Sequence, residues 1–178
     1  MIASLVRHAD TPARRIETVE VAIDRPDPDT LALTFLVAPA AHLNLPEPAS
    51  PSRTDGLWKR TCFELFVAGA GERYLEFNLS PSSRWAAYAF DRYRTGMRDL
   101  PMATDPQVEV TTRAGAIAVR AAIDLTGAGA GPLTIGLSAV IEEDDGTRSY
   151  WALRHPPGAP DFHHRDCFAL ELPAPEAP

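Results

Sequence analysis

The sequence predicts an all-β protein: a single-domain antiparallel β-sandwich of jelly-roll or immunoglobulin-like type, with eight to ten strands across residues 1–178. Three observations carry this. Apolar residues recur with period two in segment after segment, and sustained helical periodicity is almost absent. Proline-, glycine- and aspartate-rich turns separate the segments, the pattern of an antiparallel sandwich. The 178 residues are 45% hydrophobic, and a chain of this length buries roughly 70% of its unfolded surface without needing disulfides or metal.

In chain order, residues 16–23 (IETVEVAI) form the first expected strand, with Val19, Val21 and Ile23 on one face. The Arg-Pro-Asp-Pro-Asp stretch turns the chain into residues 30–37 (TLALTFLV), where Leu31, Leu33, Phe35 and Val37 alternate. Residues 38–56, rich in proline, read as a long surface loop. Residues 61–67 (TCFELFV) and 73–80 (RYLEFNLS) flank AGAGE and make the clearest hairpin in the chain. Phe63, Leu65, Val67, Leu75, Phe77 and Leu79 face a core, which puts Cys62, Glu64, Phe66, Tyr74, Glu76 and Asn78 on the opposite face. Residues 85–91 continue as a strand and 92–106 as an irregular connection. Residues 116–125 and 133–142 are two long strands, Glu143-Asp144-Asp145-Gly146 is a hairpin turn into 149–153, and 168–172 closes the fold. Residues 173–178 read as a frayed tail.

With AGAGE centred in the hairpin, Glu64 lies directly across from Glu76 and Cys62 across from Asn78. Opposed like charges destabilise a sheet. The pair is therefore either an exposed face neutralised by Arg60 or Arg120, or a polar site whose carboxylates accept hydrogen bonds from ligand hydroxyls. Trp58, Trp85 and Trp151 stand near strand ends beside polar groups, as indoles that cover sugar rings do, although core or edge packing is the better explanation of any single one. His155, Asp161, His163 and His164 match no zinc spacing and read as loop capping. No phosphate loop or nucleophile elbow is present, so no catalytic residue, metal ligand or cofactor is assigned.

The net charge of −7 and pI of about 5.2 argue against nucleic acid as a partner. No apolar window is long enough to span a membrane. The opening residues MIASLVRHADTPARR lack the charged start and apolar run of a secretory signal, and Cys62 and Cys167 have no secreted-type framework. A cytoplasmic location with two buried free thiols is expected. Lys59 is the single lysine against 16 arginines, a bias of composition.

Residues 55–97 resemble DOMON-like domains related to family 9 carbohydrate-binding modules. The resemblance rests on a tryptophan (Trp58), a Cys-x-Glu-x-Phe strand (Cys62, Glu64, Phe66), and a second strand carrying Glu76 and Asn78 before Ser80-Pro81. Residues 150–172 resemble the closing strands of the same group. The resemblance implies a β-sandwich that binds sugars or, in other branches, haem; no Met–His spacing here marks a haem pair. It makes the expected function a non-catalytic module for a carbohydrate or similar small polar ligand. The expected ligand-binding residues are Trp58, Glu64, Glu76, Asn78, Trp85, Arg120, Trp151 and His155. A glycoside-directed enzyme using Glu64 and Glu76 and a protein-interaction domain are the alternatives.

Overall fold

The structure is a computed structural model that describes residues 1–126 and 128–175; residues 176–178 of the expected tail lie outside the described residues. Among the described residues there are thirteen strands: β1 (Ile2–Ser4), β2 (Val6–Arg7), β3 (Thr18–Asp27), β4 (Thr30–Ala38), β5 (Cys62–Ala68), β6 (Tyr74–Leu79), β7 (Trp85–Phe90), β8 (Arg98–Asp99), β9 (Gln107–Arg113), β10 (Ala116–Asp124), β11 (Leu133–Glu142), β12 (Arg148–Ala152) and β13 (Leu170–Leu172). They form two antiparallel sheets. The first runs β1-β3-β4-β10-β9. The second runs β2-β12-β11-β5-β6-β7-β8, with β13 also paired to β11. The all-β antiparallel sandwich expected from the alternation is what the chain forms.

The alternation decides the packing. Val19, Val21, Leu31, Leu33, Phe35, Val37, Val119 and Ala121 of the first sheet meet Phe63, Leu65, Phe77, Leu79, Ile135 and Leu137 of the second, all buried in one core. Filling such positions is worth about 2–5 kcal/mol per large aliphatic side chain lost to alanine. The N-terminal segment serves both sheets, because β1 pairs with β3 and β2 with β12, with Leu5 buried between them.

Three expectations are corrected. β3 runs on through Arg25 and Pro26 to Asp27; the missing Pro26 N–H is tolerated because the β3–β4 register shifts between Asp24 and Asp27. Four strands outside the expected set appear, β1, β2, β8 and β9, all short or at edges. The β5–β6 hairpin pairs Glu64 with Asn78 and Phe66 with Glu76, two residues away from the expected register. The reason is local: Gly71, at φ 67, takes the left-handed position of the loop, and Gly69 N–H donates to the Arg73 carbonyl at 2.8 Å. The turn therefore centres on Gly71 rather than Ala70.

The outer face of the second sheet is also not an exposed surface. Phe66, Tyr74, Ala86, Tyr88, Phe90, Val140 and Ala152 form a second buried apolar cluster with Phe162 and Phe168, which the chain between β12 and β13 lays across the sheet. Gly136 makes room for it: a Cβ there would lie 3.0 Å from the Cys167 carbonyl oxygen and the Phe168 ring.

Candidate functional site

Between the second sheet and its cover lies a cavity of about 420 Å³, with Glu64 and Glu76 in its lining beside Trp58, Tyr88, Phe90, Arg94, Tyr150, Phe162 and His163. That volume falls within the range of small-ligand pockets. Strand alternation supplies the floor: Glu64 on β5, Glu76 on β6 and Tyr88 on β7 all point outward from the sheet. Glu76 is directly paired with Tyr88. Trp58 comes from a short 3-10 turn, Leu57–Lys59, that follows Gly56 at φ 73. Arg94 comes from the turn after β7, where its own φ of 50 places a non-glycine residue in an uncommon conformation.

The carboxylates are held by named partners. Ser138 Oγ on β11 donates to Glu64 Oε2 at 2.8 Å, and Asn78 Nδ2 donates to Glu76 Oε1 at 2.6 Å. Among the described residues, Glu64 Oε1 and Glu76 Oε2 accept no hydrogen bond, and no lysine or arginine forms an ion pair with either group. The nearest ring nitrogen, His163 Nε2, is 3.8 Å from Glu76 Oε2. Glu64 and Glu76 are nevertheless 3% and 6% exposed. Burial, and then the neighbouring Glu76, push the Glu64 carboxyl up to about 8 against the Ser138 hydrogen bond. Burial raises Glu76 as well, opposed by its bond from Asn78 and by Arg94.

His163 is neutral at ordinary pH, because burial and then Arg94 hold it down at about 4. Its Nδ1 lies 2.8 Å from the Tyr74 hydroxyl, which accepts from the Arg94 N–H at 3.2 Å. The hydroxyl proton is thus left for Nδ1, and the ring carries its own proton on Nε2, facing Glu76. Arg94 donates to Asp161 at 2.8 Å, and Tyr93 donates to the same carboxylate at 2.6 Å. The Arg94 charge is therefore paired with Asp161 at the cavity wall, where it still acts on Glu64, Glu76 and His163. At the rim, the Lys59 ammonium sits 5.6 Å from the Trp58 ring centroid. The Tyr88 hydroxyl donates to Asp55 at 2.6 Å.

Of the eight residues expected at a ligand site, the structure brings Trp58, Glu64 and Glu76 into the cavity lining, with Asn78 buried behind them as a donor to Glu76. The others lie elsewhere. Trp85 and Trp151 point inward and are buried in the inter-sheet core; the Arg53 guanidinium lies 4.5 Å over the Trp85 ring. Arg120 belongs to β10 of the first sheet, opposite Thr34 and Glu109. His155 lies at an N-terminal contact, with Nε2 2.8 Å from the Val6 carbonyl and its ring 4.8 Å from that of His8. Arg60 neutralises Glu142 rather than Glu64, at 3.1 Å. Within the histidine loop, His164 and Asp161 accept from the N–H groups of Asp166 and His163, as capping requires.

Sequence reasoning missed Tyr88, Phe90, Arg94, Tyr150, Phe162 and His163. Alternation through Ala86, Tyr88 and Phe90 marked the first two. Tyr150 follows from the alternation of β12, whereas Arg94, Phe162 and His163 had no local signal, since only the folded cover brings them over the sheet. Cys62 and Cys167 are free and buried, and no described helix is long and apolar enough to cross a membrane.

Fold and site together define an antiparallel sandwich with an aromatic-walled, acid-floored cavity on one sheet. No family model matches the chain, and no curated protein matches it in sequence. Among solved structures it is similar to a protein of Bacteroides uniformis described as a candidate carbohydrate-binding protein. The TM-score is 0.69 and the identity 16%, covering 94% of this chain and 83% of that one. At that identity the likeness is one of fold.

Proposed function

We propose that this chain is a non-catalytic, single-domain binding module for a carbohydrate or similar small polyhydroxylated ligand, held in the cavity over Glu64 and Glu76. The observation that carries the reading is the pair of buried carboxyl groups, each with one oxygen that no described residue hydrogen-bonds. Ligand hydroxyls entering the cavity would bond these oxygens while Trp58 covers a ring face. The DOMON-like resemblance of residues 55–97 and the description of the Bacteroides uniformis protein support the same class.

The test is a glycan array followed by calorimetric titration of the sugars it selects. Glu64→Gln and Glu76→Gln should each weaken binding by ~1.5–3 kcal/mol, the range for a hydrogen bond to a charged group. Trp58→Ala should weaken binding without lowering the melting temperature, because the indole is 52% exposed. Full-strength binding by all three variants would place the site elsewhere.

One observation favours a second reading. A carboxyl raised to about 8 beside a second carboxyl is the equipment of a general acid and its partner in glycoside hydrolysis. Turnover of nitrophenyl glycosides, abolished by either Gln variant, would establish it in place of the first.

A further inference from the structure

The charge balance of the cavity restricts its ligand further, on the assumption that the carbohydrate reading holds. Two carboxyl groups, both more than nine-tenths buried, line it. The groups that face them are Cys62 on β5, Tyr74 and Asn78 on β6, Tyr88 on β7, Ser138 on β11, Tyr150 on β12, and Arg94, Asp161 and His163 from the covering turns. Only Arg94 is cationic at neutral pH, and its guanidinium is bonded to Asp161. His163 points a neutral ring at Glu76. With Arg94 and Asp161 cancelling each other, no cation is left over for Glu64 and Glu76 inside walls made of Trp58, Tyr88, Phe90, Tyr150 and Phe162. Aromatic faces attract cations, and the indole at the entrance already carries one, the Lys59 ammonium.

We infer that the cavity takes a ligand that brings a positive charge, on the carbohydrate reading an amino sugar, whose ammonium group sits between Glu64 and Glu76. A neutral hexose satisfies the unpaired oxygens but brings no cation to the two acids in a poorly solvated site. An ammonium group does both, and it favours the ionised form of Glu64. Binding is then accompanied by release of the proton that Glu64 holds in the free protein.

The experiment is calorimetric titration of the intact chain at about pH 6.5, where amines are protonated, in two buffers of different ionisation heat. The probes are glucosamine, galactosamine and mannosamine, their N-acetyl forms, the parent hexoses, and putrescine as an amine without a sugar. Amino sugars should bind about tenfold or more tighter than their N-acetyl and neutral counterparts, and only the amines should release a proton. Glu64→Gln should abolish the proton release. The comparison among ligands needs no variant, so it stands even where a variant folds poorly. Equal binding of neutral and amino sugars overturns the inference and leaves the carbohydrate reading intact. Binding of putrescine with no preference for any sugar overturns the carbohydrate reading and sustains the requirement for charge. No binding of any amine overturns the inference.

Discussion

At the scale of single residues, a carboxyl group with its two oxygens in different surroundings serves two purposes. Glu64 Oε2 is fixed to Ser138 across the β5–β11 pair, and Oε1 is left to the cavity. Asn78, directly opposite Glu64, turns instead to Glu76. Each acid thus has its own neutral donor, Ser138 for Glu64 and Asn78 for Glu76. The outward direction of Glu64, Glu76 and Asn78 was legible in the alternation of the two strands, because period two leaves each side chain only two faces. Their burial was not, because it depends on residues some ninety positions downstream. The thiols show the same division. Burial raises Cys62 well above its ordinary range and Cys167 to about 12, so neither is a reactive thiolate. Thiol titration of the unreduced protein should count close to zero in the native state and two after denaturation; a count of zero in both would mean a bridge.

At the scale of elements, the long strands were legible and the short ones were not. β11 starts and ends where its alternation does, at Leu133 and Glu142. β9 carries only Val108 and Val110 as apolar residues and is mostly exposed, so it offers little pattern to read. β1, β2 and β8 have two or three residues each and are defined by partners rather than by their own composition. The covering segment depends on one element-level feature, the glycine in the middle of β11. Gly136→Ala should press the new methyl group against the Cys167 carbonyl and the Phe168 ring, at a cost of about 1–3 kcal/mol by denaturant unfolding. The segment should lift, so Cys167 should label with a thiol reagent faster while Cys62, inside β5, stays protected. Equal protection of both thiols would show that the cover does not rest on this contact.

At the scale of the whole molecule, two buried groups of opposite type set how stability follows pH. Glu64 ordinarily titrates at 4.5 and is raised to about 8 in the fold. Between those values the folded state holds a proton that the unfolded chain has lost, so this contribution is full below 4.5 and falls away as pH rises to about 8. Glu76, also raised, acts in the same direction. His163 is lowered from 6.5 to about 4; its contribution is full above 6.5 and is lost as pH falls, because the unfolded chain takes up a proton that the folded ring refuses. Asp161 and Asp124 are lowered from 3.8, so their contributions disappear only in stronger acid. The raised thiols and tyrosines act in the alkaline range beyond. Between 4.5 and 6.5 the raised glutamates are opposed by His163 and by His155, also lowered from 6.5 by burial, so the pH dependence is weakest there. Above 6.5 the glutamates act alone, and stability should fall toward pH 8 by at most about 1.4 kcal/mol per pH unit for each proton involved. Glu64→Gln should remove most of that alkaline fall and melt higher than the parent at pH 8. His163→Asn, which keeps a partner for the Tyr74 hydroxyl, should move the start of the decline from 6.5 toward 4.5. Melting curves of the three proteins from pH 4 to pH 9 decide the matter. If Glu64→Gln runs parallel to the parent throughout, Glu64 is ionised in the native protein, and the source of its compensating charge must be sought among the groups around the cavity, beginning with Arg94.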